Sequence, residues 1–525
     1  SFFGQRIPAG RPLFDNINNF FRTGVSQQHN VAVDGGTDAG SYRFSASYFN
    51  NQGVVPTTNF SRYNFTLRTA FKLSPKLNVN NSVSYISTST IKASKGVNGF
   101  LLSLLTWPND EDITNYLDAN GNRITINPLS LAEDNNPFFE LNMNRNFDNN
   151  TRLLANTQIV YDAAKWLNLT GSIAIDYYNN TGTIALHPQD LFGRNSGGFY
   201  QEFRQEQQIV NGFLRAVAKK KIGNFNHTVT FNVDFMKRFE VANAVAGERI
   251  FDPKFFSINN TDPLTRNSLQ TPGDNFNRAG AFLQYAINYK NFLNLSLTGR
   301  VDGSSKLVNP VKYDPSDPFV AYWTGNLSFV FSDAFKLPKQ ISYGQFRLSY
   351  ATTGRDPRSA YVKGNRFTSS TFTGGGFAPF VTQGNPDLRP EFSKNFEVGG
   401  VLKFFKNRIS LDVAYYQNRT SDQIINPRLS YASGAILKWM NGGTVENSGY
   451  EAILTAKVFQ NKKFSWDVSV NFARNRNLIV AMPAGLPTFY NSDTWVANIR
   501  NIATKGGNAY TLAANRYQRN TNGDI

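Results

Sequence analysis

The sequence predicts an all-β chain: a transmembrane antiparallel β-barrel with long loops at one end and short turns at the other. Three observations predict it. Apolar and polar residues alternate with period two in about sixteen segments, many longer than the ~10 residues that cross a bilayer as a tilted strand. The connections between segments alternate in length, short then long. The composition is rich in aromatics (14%) and Gly (40 residues) but only 17% charged, against roughly 25% in soluble domains.

The alternation is clear from the start of the chain. In 42–48, Tyr42, Phe44, Ala46 and Tyr48 interleave with Arg43, Ser45 and Ser47. In 63–73, Tyr63, Phe65, Leu67, Phe71 and Leu73 oppose Asn64, Thr66, Arg68 and Lys72. Leu167, Leu169, Ile173 and Ile175 set against Asn168, Thr170, Ser172 and Asp176 repeat it, as do Val229 to Phe235 and Leu293 to Val301. Later examples are 396–404, 409–415 and 466–472. Short turns fall at Leu73–Lys76, Asp162–Lys165, Lys220–Asn224, Lys290–Asn291, Lys406–Asn407 and Gln460–Lys462. Between them lie polar stretches at 91–148, 181–200, 241–273, 304–319, 354–390, 422–445 and 476–506. Compact soluble domains rarely hold so many long connections, whereas an outer-membrane barrel has short periplasmic turns and long external loops by construction.

Charge and hydropathy narrow the classes further. Lys+Arg number 54 against 37 Asp+Glu, a formal charge of +17, which suits nucleic acid, an anionic membrane surface or acidic substrates. Lysines gather at the short turns (Lys72, Lys76, Lys165, Lys219, Lys220, Lys221, Lys290, Lys403, Lys406, Lys462, Lys463) with aromatics beside them (Phe71, Tyr161, Trp166, Tyr289, Phe292, Phe404, Phe405, Phe459, Phe464, Trp466). Lysine favours solvated turns anywhere. Its recurrence with aromatics reads as an interfacial girdle with a basic rim beyond it, so the charge is spread along a rim and no nucleic-acid partner is expected. No apolar run approaches the ~18 residues of a membrane helix; the best, Gly99 to Trp107, is half that. Cysteine is absent, which excludes disulfides, thiolate metal sites and cysteine nucleophiles.

Catalytic signatures are missing, and no enzyme is expected. His29, His187 and His227 share no metal spacing, and neither a nucleophile elbow nor a phosphate loop occurs. Calcium is the one cofactor the acidic stretches suggest: Asp110-Glu111-Asp112, Asp118 to Asn122, and Asn520 to Asp524. None completes a calcium loop, and Asn-Gly sequences are first of all turn formers, so the expectation is no cofactor. Aromatics of the long loops, Trp107, Phe138, Phe139, Tyr361 and Phe377, are the candidate substrate-binding residues, able to stack on sugar rings or peptide side chains; loop packing is the competing role for each. The segment around Trp107 is expected as a loop or a short helix.

Four motifs resemble the SusC/RagA-like branch of TonB-dependent outer-membrane transporters of Bacteroidetes-type bacteria. Phe20 to Val55 (FFRTGVSQQHNVAVDGGTDAGSYRFSASYFNNQGVV) looks like that family's first barrel strands. Thr298 to Leu307 (TGRVDGSSKL) resembles its R-x-DGSS element, Gly384 to Gly399 (GNPDLRPEFSKNFEVG) its N-P-x-L-x-P-E element, and Asn441 to Leu454 (NGGTVENSGYEAIL) its N-x-G-x-x-x-N-x-G-x-E strand, ending on Glu451. The resemblance implies an outer-membrane active transporter that imports an oligosaccharide or peptide nutrient with TonB-derived energy, capped by a SusD-like surface lipoprotein and seated in outer-membrane lipid and lipopolysaccharide. A passive porin-like or surface-adhesive barrel is the alternative, and a soluble basic β-protein a third.

Three expectations follow. Residues 1–525 form an incomplete barrel domain, part of a twenty-two-stranded plugged barrel, with a strand before Ser1, about five more beyond Ile525 and Asp34–Gly40 as a periplasmic turn. Tyr63, Phe65 and Leu67 face lipid, while Arg68, Asp176, Asp234 and Arg300 face inward. The loops 91–148 and 354–390 form a docking rim for the lid, with self-packing of the loops as the alternative.

Overall fold

A computed structural model describes residues 10–524 except 97–98, 127–134, 192, 194–195, 312–313, 315–317, 371–375, 431, 433–434, 491–498 and 515. Seventeen strands belong to one large antiparallel sheet, one more than the alternation suggests. They are β1 (Val25–Thr37), β2 (Gly40–Gln52), β3 (Asn59–Ser74), β4 (Leu77–Ile91), β5 (Arg145–Ala164), β6 (Leu167–Leu186), β7 (Phe199–Ile222), β8 (Phe225–Glu248) and β9 (Asn267–Pro272). Then follow β10 (Phe276–Tyr289), β11 (Leu293–Ser304), β12 (Phe319–Phe329), β13 (Ile341–Arg355), β14 (Glu391–Phe404), β15 (Ile409–Ser421), β16 (Thr444–Gln460) and β17 (Ser465–Ala481). Four short α-helices interrupt the strands: α1 (Asn16–Phe20), α2 (Phe100–Thr106), α3 (Pro137–Met143) and α4 (Phe331–Ala334). Among the described residues no helix is long and apolar enough to cross a membrane.

The chain divides into two compact units, one of 1–159, 172–211 and 238–275, the other of 160–171, 212–237 and 276–525. In the first, β1 to β4 pair antiparallel in sequence order. In the second, β10 to β17 do the same. All six short turns lie where the alternation places them, and β1 and β2 join at Asp38 and Ala39, inside the expected Asp34–Gly40 turn. The Lys290–Asn291 turn shows why these are tight: both residues have positive φ, +46° and +65°, the backbone twist that matches right-handed strands.

Register decides which residues share a face, and here polar meets polar. In β2 and β3, Phe44 pairs with Leu67, Ala46 with Phe65 and Tyr48 with Tyr63, while Arg43 pairs with Arg68 and Ser45 with Thr66. The faces are inverted relative to a soluble sheet. Phe65 and Leu67 are 43% and 44% exposed, whereas Thr66 between them is 9% exposed. In the second unit Val229, Phe231, Val233 and Phe235 are exposed while Thr230 and Asn232 are buried. Such a sheet needs an apolar solvent on its outer side.

Two expected loops prove shorter than their polar composition suggests. The hairpin arms β6, β7 and β8 run to Leu186, from Phe199 and to Glu248, and Asn267–Pro272 pairs back onto β8. Polar residues stay in strand there because neighbouring strands satisfy their backbone groups; side-chain polarity does not end a ladder.

The long stretch 91–148 has a core of its own. Phe20, Leu104, Trp107, Ile113 and Leu141 are buried together, with Phe100, Ile126 and Phe138 packed against them. Helix α3 starts on Asn136, whose side chain accepts from the Phe138 and Phe139 amides, with Pro137 at its first position, a favoured cap arrangement.

Candidate functional site

The densest polar chemistry lies on the buried-polar face of the second unit, where the Arg300–Leu307 motif ends β11. Arg300 forms a two-pronged pair with Asp234 of β8, Nη1 and Nη2 at 2.8 and 2.9 Å. Its Nε donates to Asp302 at 3.0 Å and to the Tyr322 hydroxyl at 3.2 Å, and Tyr322 donates in turn to Asp302. The guanidinium also lies over the Phe282 ring at 5.8 Å. One arginine thus organises two carboxylates, a phenol and a ring, which fits its planar fork of five donors. The network also crowds Gly280: a Cβ there would meet Asp302 Oδ1 at 2.1 Å, so a side chain at that position would have to push the carboxylate aside.

A second pair continues the wall. Arg278 of β10 donates to Asp356 at 2.9 and 2.5 Å, and the Ser304 hydroxyl to the same carboxylate at 2.6 Å. The buried Lys306 donates to the Arg358 carbonyl at 2.7 Å and sits 4.0 Å from the Phe276 ring centroid. These groups surround a cavity of about 530 Å³ lined by Asp234, Met236, Arg278, Arg300, Asp302, Ser304, Arg355 and Asp356. Further along the same face a trough of about 590 Å³ is lined chiefly by Asn226, Asn288, Asn294, Ser296, Asn326, Arg347, Ser349 and Glu397, and Arg347 pairs with Asp412 at 2.8 Å. The arrangement can hold a polar solute by many hydrogen bonds.

Of the four residues expected to face inward, all lie on the polar side. Asp234 and Arg300 are partners in the second unit; in the first, Asp176 accepts from Arg152, and Arg68 lines a polar cavity with Arg43, Asn80, Asn81 and Gln158. The five loop aromatics separate. Trp107 and Phe139 are buried, 6% and 0% exposed; Trp107 belongs to the loop core of the first unit, and the Phe139 ring meets His187 edge-on. Phe138 packs on Phe20 and Tyr116 at 5.2 and 6.3 Å. Tyr361 and Phe377 are exposed, 52% and 80%, in the second unit, Phe377 on a small hairpin of Phe367–Ser370 and Gly376–Pro379. The helix expected as one option around Trp107 is α2.

The acidic stretches are engaged internally. Arg11 pairs with Asp110 and Glu111 at 3.0 and 2.6 Å, Asp112 holds the Thr114 amide and hydroxyl, and Asp118 accepts the Asn120 and Asn122 amides, which hold its carboxyl below the usual range. Asn520 and Asp524 bond to each other. Among the described residues no group of three or more His, Asp or Glu is gathered to hold a metal.

Sequence reasoning missed one cluster. Beneath the loop core, Asp190 is fully buried and accepts from Asn135 and Asn144 at 2.6 and 2.9 Å, and the buried His187 meets the Phe139 ring edge-on at 5.3 Å. Glu140 is 4% exposed; burial, and then the Asp190 charge, push its pKa to about 8. Burial lowers that of His187. Nothing in spacing announces such a cluster, because its members come from separate stretches of chain.

Comparison with known proteins agrees with this geometry. The family model described as TonB dependent receptor-like, beta-barrel matches residues 93–524. TonB-dependent receptor P26 of Formosa agariphila is 26% identical over 471 residues, covering 86% of this chain and 45% of that protein. TonB-dependent receptor SusC of Bacteroides thetaiotaomicron is 24% identical, covering 92% of this chain and 50% of its own length, so the chain spans about half the length of the curated relatives it matches. Among solved structures, the RagAB peptide transporter superposes with a TM-score of 0.81 at 19% identity, covering 96% of this chain and 55% of that one. In barrels of this kind the apolar face meets lipid and the polar face lines the lumen, which accounts for the inverted exposure of the strands. This chain belongs to the TonB-dependent receptor β-barrel family and is an outer-membrane protein.

Proposed function

We propose that this chain is the barrel wall of an energised importer that carries an oligosaccharide or peptide across the outer membrane. TonB pulls on a plug lodged in the lumen, and a SusD-like lipoprotein closes the external mouth. The observation that carries the reading is the ion-paired wall around Arg300, whose carboxylates, guanidinium groups, hydroxyls and amides would replace water around a polar solute. A second support is the exposed apolar surface on the loop segments. Leu101 and Leu105 of α2 are exposed in the first unit, and Phe367 and Phe377 in the second. Large apolar side chains left open on a loop surface are the material of partner sites.

The test uses the protein at its native length in cells lacking other copies. Uptake of labelled oligopeptides and oligosaccharides is measured with and without TonB, and for Arg300→Ala and Arg300→Lys. Uptake of one class should require TonB, and Arg300→Ala should reduce it while the barrel keeps its heat-modifiable gel mobility. Lysine should not restore it, since a point charge cannot replace a fork that spans Asp234 and Asp302. Uptake that persists without TonB would point to a passive barrel instead.

A further inference from the structure

The short turns of the second unit form one continuous rim. Lys219 N donates to the Trp166 carbonyl at 2.8 Å, Lys290 N to Asn224 at 3.1 Å, Val330 N to Phe292 at 2.7 Å, Phe405 N to Gln340 at 2.7 Å and Lys457 N to Arg408 at 2.8 Å. Each turn is thereby tied to the next. Aromatic rings line the inner margin of the row: Phe225 and Tyr289 at 4.7 Å, Tyr289 and Phe292 at 5.3 Å, Phe459 and Phe464 at 5.8 Å. Trp166 and Trp466 stand exposed among them.

The charge of that rim is one-sided. Across segments 162–166, 219–225, 290–292, 331–341, 405–408 and 461–467 there are eleven basic residues (Lys165, Lys219, Lys220, Lys221, Lys290, Lys336, Lys339, Lys406, Arg408, Lys462, Lys463) and three acidic ones (Asp162, Asp333, Asp467), a net of 11 − 3 = +8 of the chain's +17. All eleven are exposed, and among the described residues none of them forms an ion pair with the chain's own carboxylates. Elsewhere in the unit arginines are matched by acids, as at Arg300, Arg278, Arg347 and Arg389. A row of unmatched cations just beyond an aromatic girdle and an apolar wall lies at headgroup depth, on the short-turn, periplasmic side.

We propose that this rim binds the phosphate groups of anionic phospholipids in the periplasmic leaflet, gathering them around the barrel in preference to zwitterionic lipid. Charge complementarity selects the occupant. Each lysine near such a surface favours it on the order of fivefold, and eleven in a row act together.

The experiment uses the native-length protein reconstituted in nanodiscs of phosphatidylethanolamine containing a minority of phosphatidylglycerol. The lipid retained on gentle extraction is then measured. Phosphatidylglycerol should be enriched severalfold over its bulk share, and the enrichment should fall in high salt. Replacing Lys219, Lys220, Lys221, Lys462 and Lys463 by Gln should bring the ratio toward bulk, while Lys95 and Lys254 to Gln in the long loops should leave it unchanged. Unaltered gel mobility shows that the variants fold. A bulk ratio around the unsubstituted protein, or an enrichment indifferent to the five replacements, overturns the proposal. Loss of the enrichment to millimolar inorganic phosphate alone would assign the rim to free anions, and retention only of a periplasmic protein or of peptidoglycan fragments would assign it to those; either result overturns it too.

Discussion

Two long external stretches have nearly the same character in sequence, and their aromatic residues end in opposite environments. Segment 91–148 turns its aromatics inward: Trp107 and Phe139 are buried and Phe138 is packed between Phe20 and Tyr116. Segment 354–390 turns several outward: Tyr361, Phe367 and Phe377 are all more than half exposed. The first has two helices to close a core, and α1 supplies Phe20 from outside the segment. Among the described residues the second has one small hairpin and the two-residue strand Thr382–Gln383; Ala360, Val362 and Leu388 are buried there, but the hairpin carrying Phe367 and Phe377 is too thin to cover both of its faces. Aromatic content alone therefore does not say whether a loop binds itself or something else; the number of elements that can be layered does. The docking expectation thus divides, with self-packing at the core of the first loop and open rings on the second.

The largest effect expected from this contrast is on the first loop. Phe139→Ala or Trp107→Ala removes a buried ring and should destabilise the loop by about 3–5 kcal/mol. Limited proteolysis should show cutting between residues 91 and 148 at protease levels that leave the unsubstituted loop whole. Unchanged protection would mean that the loop core is not what holds the segment.

Glu140 sharpens the comparison through pH. Its folded-state pKa of about 8 lies above the ordinary glutamate value of 4.5, so the folded loop holds a proton that the unfolded chain gives up. The stability this contributes is full below about 4.5 and is lost as pH rises through about 8. Loop protection should weaken between those limits in the unsubstituted protein, by an amount on the order of a few kcal/mol. Glu140→Gln should remove that decline and leave the loop better protected at pH 9. His187 acts in the other sense: burial lowers its pKa, so its contribution is lost as pH falls below the ordinary histidine value of 6.5. A Gln variant with the original decline would show that another group drives it.

The smallest effect on stability should come from the second loop. Phe377→Ser removes an exposed ring and should change stability by less than about 0.5 kcal/mol. If the open rings meet a lid lipoprotein, the same variant should copurify less of it from mild detergent than the unsubstituted protein does. Deletion of 100–140 should lower recovery as well, through loss of α2 and its exposed leucines. Full recovery from both variants would leave the loops without a docking role.

Much of this protein was legible in its sequence. Period-two alternation fixes which residues share a face, because side chains on a strand point to opposite sides, and the sheet's registers follow it from Tyr42 to Phe472. Turn positions were legible for a similar reason: Lys290-Asn291 and Lys406-Asn407 sit where a backbone reversal needs left-handed φ, and asparagine tolerates it. The same alternation put Arg300 and Asp234 on the polar face, although the candidate site read from the sequence was the loop aromatics and not this charged wall. What only the tertiary structure decided is which groups meet across strands and loops. Asp234 reaches Arg300 across 66 residues, and Arg278 and Ser304 converge on Asp356 because the register of β10 and β11 pairs Arg278 with Ser304. Glu140 and Asp190 are brought near by packing that no local pattern encodes. Local rules act over two to four residues, so they set faces and turns; a pairing between distant residues depends on the whole sheet having formed.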